Sequence, residues 1–336
     1  MNSQLPSRRN LLKGVGGLSA GVALASGGML AGASAARAAG PARSPGDLSG
    51  HGLAVLEANE DDHRMWYYRF ATEAIGWDPM VNVYVPEGYR DSGRRYPVLY
   101  LLHGGSADFM TWDVEYGIRD LVANREVIVV MPDGGDAGWY SNPVSSHVGP
   151  RNWETFHMAQ LVPWVDATFR THGEFAGRAV AGFSMGGFGA MKYAAKYYGH
   201  FSSVSCHSGP TSMRRDAGAV THWANATSAV AELGGGMVYG TPWDEGRVSA
   251  DNPMENLERY RDKRVFLVCG DSPHPLDWWS QINEWQVLAG QREFRAALDD
   301  VGIAHDSHED SGGHYPRDNF WTTDLDGIVA HLRPAG

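Results

Sequence analysis

The sequence predicts an α/β fold, a mostly parallel central sheet with helices on both faces. Short apolar runs at 98–102, 127–131, 179–183, 202–207 and 265–269 alternate with stretches of helical spacing. The runs are uninterrupted and rich in β-branched or aromatic residues, as strands buried on both faces require. A Gly-x-Ser-x-Gly sequence joins one such run to the helical stretch that follows it.

The elements follow in chain order. Residues 1–39 read as an export signal: Ser7-Arg8-Arg9-Asn10-Leu11-Leu12-Lys13 matches the twin-arginine pattern. A Gly/Ala/Leu-rich stretch follows and ends at the small-x-small site Ala36-Arg37-Ala38. Residues 40–60 are Pro/Gly/Ala-rich without periodicity and read as a linker, with a catalytic domain expected over 61–334. Segments 64–72 and 81–85 read as strands, 118–122 and 152–170 as helical, and 187–198 as the helix after the serine. Residues 209–260 carry Gly, Trp and Ser with little periodicity. That is too long for an ordinary loop and reads as a lid-like insertion over the sheet's C-terminal edge. Segments 281–301 and 315–332 close the chain as helices, with a short strand at 305–308 between them.

Composition bounds the function. The 336 residues are 43% hydrophobic and 20% charged, with 12 Trp, 14 Tyr and 42 Gly, which suits a loop-rich globular enzyme. A net charge of −11 argues against nucleic acid or an anionic membrane surface as partner. No segment after the signal holds about 18 uncharged apolar residues, so no stable membrane insertion is expected after cleavage. The two cysteines, Cys206 and Cys269, make no disulfide framework and read as buried thiols. No metal-ligand spacing or phosphate-binding glycine pattern appears, and no cofactor is expected.

Chemistry is concentrated at a few positions. In Gly182-Phe183-Ser184-Met185-Gly186 the serine sits on a sharp turn where side chains in place of the glycines would collide with neighbouring backbone. Ser184 is the expected nucleophile, and the Met185 amide at a helix start is an expected oxyanion donor. Leu102-His103-Gly104-Gly105 follows a buried strand, the position of the second oxyanion loop, with Gly105 as its expected donor. A base is expected after the last strand, where Ser311-Gly312-Gly313-His314 stands, so His314 is chosen among 14 histidines. Two carboxylates compete for the acid: Asp271, directly after a strand in Cys269-Gly270-Asp271, and Glu284, at the start of a helix. Position alone favours Asp271.

From about residue 64 onward the chain resembles the esterase D/antigen 85 group of α/β-hydrolases. The resemblance is carried by 96–105 (Tyr-Pro-Val-Leu-Tyr-Leu-Leu-His-Gly-Gly), by 130–135 (Val-Met-Pro-Asp-Gly-Gly), by Trp139-Tyr140-Ser141 and by Trp153-Glu154-Thr155-Phe156. It continues through 182–187, Val268-Cys269-Gly270 and Gly313-His314. The resemblance implies an α/β-hydrolase fold and a small-molecule ester or acyl-lipid substrate. In the antigen 85 branch the acid is a Glu ten residues before a Phe, a spacing matched here by Glu284 and Phe294, which shifts the choice to Glu284. In the feruloyl-esterase branch it is the Asp after the strand, here Asp271. Where antigen 85 enzymes carry Asp and Arg in the first oxyanion loop, this chain has His103 and Ser106, the plain esterase form. His103, Ser106, Trp139 and Tyr140 are expected substrate contacts. The expected function is ester hydrolysis through a Ser-His-Glu triad. Acyl transfer to a sugar or lipid hydroxyl is the alternative, and non-catalytic binding a third reading.

Overall fold

The computed structural model of the protein describes residues 45–272 and 278–336, with backbone alone at 45 and 278–283. The expected export signal and the first residues of the expected linker lie outside the described residues.

Nine strands form one sheet in the order β1-β2-β3-β5-β4-β6-β7-β8-β9. β1 (Ala54–Asn59), β2 (Met65–Ala71) and β3 (Met80–Tyr84) pair antiparallel. β3 meets β5 (Ile128–Pro132) antiparallel, and from there the sheet is parallel. It runs through β4 (Val98–Leu102), β6 (Arg178–Phe183), β7 (Ser203–His207), β8 (Arg264–Gly270) and β9 (Asp306–Asp310).

Alternate residues of a strand face opposite ways, and here both faces are buried. Along β4, Val98, Tyr100 and Leu102 enter one core, while Leu99 and Leu101 enter the other. That two-sided burial is why the run is apolar without alternation. The helices among the described residues are α1 (Thr111–Val114), α2 (Ile118–Leu121), α3 (Val162–Thr168), α4 (Met185–Lys196), α5 (Arg215–Ala231), α6 (Glu245–Asp251), α7 (Trp278–Asp300) and α8 (Asp318–His331).

Three expectations are corrected. The stretch read as a linker up to residue 60 enters the sheet as β1. It is an edge strand with a register shift between Val55 and Glu57, and only Val55 is buried, so no alternation shows in the sequence. The helix expected over 152–170 begins as a π-helical segment, Thr155–Leu161, before turning α-helical. The aperiodic 209–260 segment contains α5 and α6. Left-handed φ at Asp216, Ala217 and Gly218 breaks the start of α5, which hides its period.

Candidate active site

β6 runs straight into Ser184, whose φ of 56° and ψ of −119° make the turn into α4. A non-glycine residue at positive φ is strained, and its neighbours hold it there. The Ser184 amide donates to His207 O at 2.8 Å, from the end of β7. A Cβ on Gly182 would fall 2.3 Å from Gly186 O, and one on Gly186 would fall 2.2 Å from Leu102 O. Backbone fills the space on both sides, so only glycine fits.

His314 reaches this turn from the loop after β9. Its Nδ1–H donates to Glu284 Oε2 at 2.6 Å, which leaves Nε2 to accept from the Ser184 hydroxyl at 2.7 Å. The Phe183 ring packs against the imidazole at 5.0 Å between centroids. Glu284 is buried on α7; its Oε1 accepts from Ser208 Oγ at 2.8 Å and from the Gly270 amide. Asp271 is exposed and accepts from Ser272 Oγ at 2.6 Å, away from the imidazole. The carboxylate that meets His314 is Glu284.

Gly104, Gly105 and Ser106 pass beside Ser184 and Met185 and line the same cavity. A Cβ on Gly104 would lie 3.4 Å from Ser184 Cβ, so this loop approaches the serine closely. The Ser106 amide donates to Asp136 O at 2.7 Å, which fixes the loop from outside.

Two expected substrate contacts stand elsewhere. His103 is buried with both ring nitrogens engaged by backbone: Nε2 accepts from the Gly134 amide at 2.8 Å, so Nδ1 carries the proton toward Gly104 O at 2.7 Å. Tyr140 is also buried, and its hydroxyl donates to His103 O at 2.7 Å. Both brace the Gly104–Ser106 loop from behind and stand apart from the cavity lining. Trp139 and Ser106 do line it. Trp139 and Tyr140 take φ of 49° and 52° in succession. Lys192 Nζ at 2.9 Å and Tyr193 Oη at 3.0 Å both donate to Tyr140 O, so α4 itself holds the strained turn.

The cavity measures about 780 Å³ and opens at the C-terminal edge of the parallel strands. Ser184 and His314 lie in its wall; α5 contributes Val220, Trp223, Thr227 and Val230, and Gln286 of α7 and Tyr116 complete its mostly apolar lining. Trp139 is fixed there by donation from Nε1 to Thr227 Oγ1 at 3.0 Å and by an edge-on contact with Trp223. An apolar pocket with few polar groups around a serine suits an acyl or aryl ester.

Several supporting residues escape sequence reasoning. Arg317 and Ser208 connect Glu284 of α7 to the His314 loop. Glu232 caps α5 and accepts from the Asp136 amide at 3.1 Å and Trp153 Nε1 at 2.9 Å. Lys192, fully buried, pairs with Glu154 at 2.9 Å and Asp251 at 3.0 Å. The one available signal was a charged residue inside an apolar helical pattern, as Lys192 is in α4. Cys206 and Cys269 are buried free thiols, as expected, and burial pushes Cys206 up to about 12. Among the described residues no acidic, histidine or cysteine group is arranged to hold a metal, and no helix is long and apolar enough to cross a membrane.

The Esterase family model matches residues 72–332. Esterase Rv1288 of Mycobacterium tuberculosis (strain H37Rv) is 65% identical over 293 residues, 86% of this chain and 64% of its own length, so this chain spans under two thirds of that relative. The diacylglycerol acyltransferase/mycolyltransferase Ag85B of Mycobacterium leprae is 30% identical over 142 residues, 40% of this chain and 41% of that protein. Among solved structures, MPT51 of Mycobacterium tuberculosis superposes with a TM-score of 0.60 at 22% identity. The match covers 78% of this chain and 97% of that one, a likeness of fold.

Proposed function

This chain belongs to the Esterase family of α/β-hydrolases, and we propose that it hydrolyses carboxylic esters through an acyl-enzyme on Ser184. The reading rests on one observation, the continuous chain of contacts from Ser184 Oγ to His314 to Glu284 at the wall of an apolar cavity. His314 Nε2 takes the hydroxyl proton as Ser184 Oγ attacks the ester carbonyl, and Glu284 stabilises the imidazolium that forms. The amides of Gly105 and Met185 face the developing oxyanion, where each such donor contributes about 3–4 kcal/mol to the transition state. The imidazolium then protonates the leaving alcohol. Water, activated by the same histidine, releases the acid.

A second reading is acyl transfer to a sugar or lipid hydroxyl. It is favoured by the similarity to Ag85B and by the size of the cavity. Transfer requires the site to hold an acceptor alcohol against about 55 M water, a matter of proximity and orientation. We further propose that residues 1–39 direct twin-arginine export, on the strength of Arg8-Arg9 and the Ala36-Arg37-Ala38 site.

Turnover of para-nitrophenyl esters from acetate to long chain, by wild type and Ser184→Ala, with and without glycerol or trehalose, tests both readings. Free acid alone from wild type supports hydrolysis, and acylated acceptor supports transfer. Equal turnover by the alanine variant would remove Ser184 from the reaction.

A further inference from the structure

His314 hangs on a segment poorly suited to hold a catalytic base. Ser311, Gly312 and Gly313 precede it without regular structure, and Gly312 has φ of 109°, a conformation open to glycine. Its partner Glu284 comes from a different element, α7. Some group must fix these two segments against each other to a few tenths of an ångström.

We propose that Arg317 is the positioning residue of this site, a guanidinium that locks the His314 loop and the Glu284 carboxylate into one register. This rests on the proposed Ser184–His314–Glu284 chemistry. Arg317 is the residue just before α8, and its side chain is buried, 3% exposed. Nη2 donates to Gly313 O at 2.7 Å and Nη1 to Tyr315 O at 3.0 Å, the carbonyls on either side of His314. Nη1 also donates to Ser208 Oγ at 3.2 Å, and that hydroxyl donates to Glu284 Oε1 at 2.8 Å. Nη2 lies 3.9 Å from Glu284 Oε1 itself, and Nε lies 3.4 Å from Asp310 Oδ2 on β9. One planar group therefore spans both carbonyls that flank the base, the hydroxyl that orients the acid, and two carboxylates.

The surrounding sequence is shaped to admit it. A Cβ on Gly270 would stand 2.4 Å from Arg317 Nη2 and 2.1 Å from Gly312 O. The glycine that ends β8 thus leaves the space the guanidinium and the glycine loop occupy. Arginine is required by geometry: a fork of fixed donors reaches several acceptors at once, whereas the lysine ammonium is a single point. Its positive charge also lies 3.9 Å from the buried Glu284 carboxylate, which offsets part of the cost of burying it.

The test compares wild type with Arg317→Met and Arg317→Lys, reading kcat and KM on a para-nitrophenyl ester and the rate of Ser184 labelling by a fluorophosphonate. Displacing a reacting group by about 1 Å costs on the order of a hundredfold in rate. Arg317→Met is expected to lose about that factor in kcat and in labelling rate, with KM within about threefold of wild type. Arg317→Lys is expected to recover about tenfold of the loss. A residue needed only for stability would instead lower the yield of folded protein and leave the rate per folded molecule intact; near-UV circular dichroism and melting supply that normalisation. Rates per folded molecule within threefold of wild type for Arg317→Met overturn the proposal. Should Arg317→Met not fold, a folded Arg317→Lys with wild-type kcat overturns it equally. Failure of wild type itself to label at Ser184 would instead overturn the underlying esterase reading, and that is visible without any Arg317 variant.

Discussion

Glu284 Oε2 and His314 Nδ1 lie 2.6 Å apart, joining two segments 30 residues apart in sequence. Asp271, next to the strand end where an acid is commonly found, is turned to solvent. An acid that holds the imidazole tautomer and stabilises the imidazolium is worth about 10⁴ in kcat when replaced by its amide. Glu284→Gln is therefore expected to lose about three to four orders of magnitude in ester turnover, and Asp271→Asn to stay within about twofold. Steady-state kinetics on a para-nitrophenyl ester decides it. The reverse ranking would return the role to Asp271.

The elbow makes a prediction about folding. A methyl group at Gly186 would meet Leu102 O at 2.2 Å and His103 O at 2.6 Å, both backbone atoms of the strand end and loop it crosses. Neither can move without shifting β4 or the His103–Ser106 loop, so Gly186→Ala should cost about 3 kcal/mol or more. Thermal or urea unfolding measures the loss. A midpoint equal to wild type would mean that the helix start is looser than its packing indicates.

Val220 tests what the cavity holds. It is buried on α5 and faces the cavity near Trp223. Val220→Trp fills the volume that a long acyl chain would occupy, and contacts of this kind discriminate by about 1–3 kcal/mol. Long-chain esters should lose at least tenfold in kcat/KM while acetate stays within about threefold. Equal losses for both would place the acyl chain elsewhere.

How legible the site was differed by residue. Ser184 and His314, which meet in the structure, were visible because each is tied to local pattern: a glycine-flanked turn between strand and helix, and a glycine loop after the last strand. Glu284 was ambiguous, since sequence position alone favoured Asp271 and only the spacing to Phe294 shared with the antigen 85 branch moved the choice; the contact with His314 is what separates them. His103 and Tyr140, expected as substrate contacts, stand buried behind the Gly104–Ser106 loop and outside the cavity lining. A residue beside that loop is as well placed to brace it as to touch a ligand, and direction is not written in spacing. Arg317, Ser208 and Glu232 act by meeting segments far away in sequence, so no local pattern marks them. The fold shows the same division. Strands buried on both faces announced themselves as apolar runs, whereas the half-exposed edge strand β1 and the broken helix α5 had no clean period to read.

Glu232 couples the end of α5 to the Gly104–Ser106 loop and supplies a pH dependence. Burial pushes its carboxyl up to about 7; Trp153 and Arg151 oppose the shift, while Asp133 and Asp136 add to it. Its Oε2 accepts from the Asp136 amide, and Asp136 O in turn accepts from the Ser106 amide at 2.7 Å, beside Ser184. Below about pH 4.5 the group is protonated whether the chain is folded or not, so it imposes no dependence. Between there and pH 7 the folded protein retains a proton that the unfolded chain has released. Stability from this group is therefore fully present at low pH and is lost as pH rises through 7. Glu154 works with the opposite sign. Burial would raise its carboxyl, but Lys192 and Lys196 outweigh that and hold it at about 2, so its contribution is lost only as pH falls from 4.5 toward 2. Glu232→Gln should thus flatten the fall in unfolding free energy between pH 5 and 8 and leave the acid limb below pH 4 unchanged. Urea denaturation of both proteins across that range reads the difference directly, because other titrating groups are common to the two. Identical slopes from pH 5 to 8 would mean that Glu232 is ionised in the folded protein throughout, held by Arg151 and its two donors.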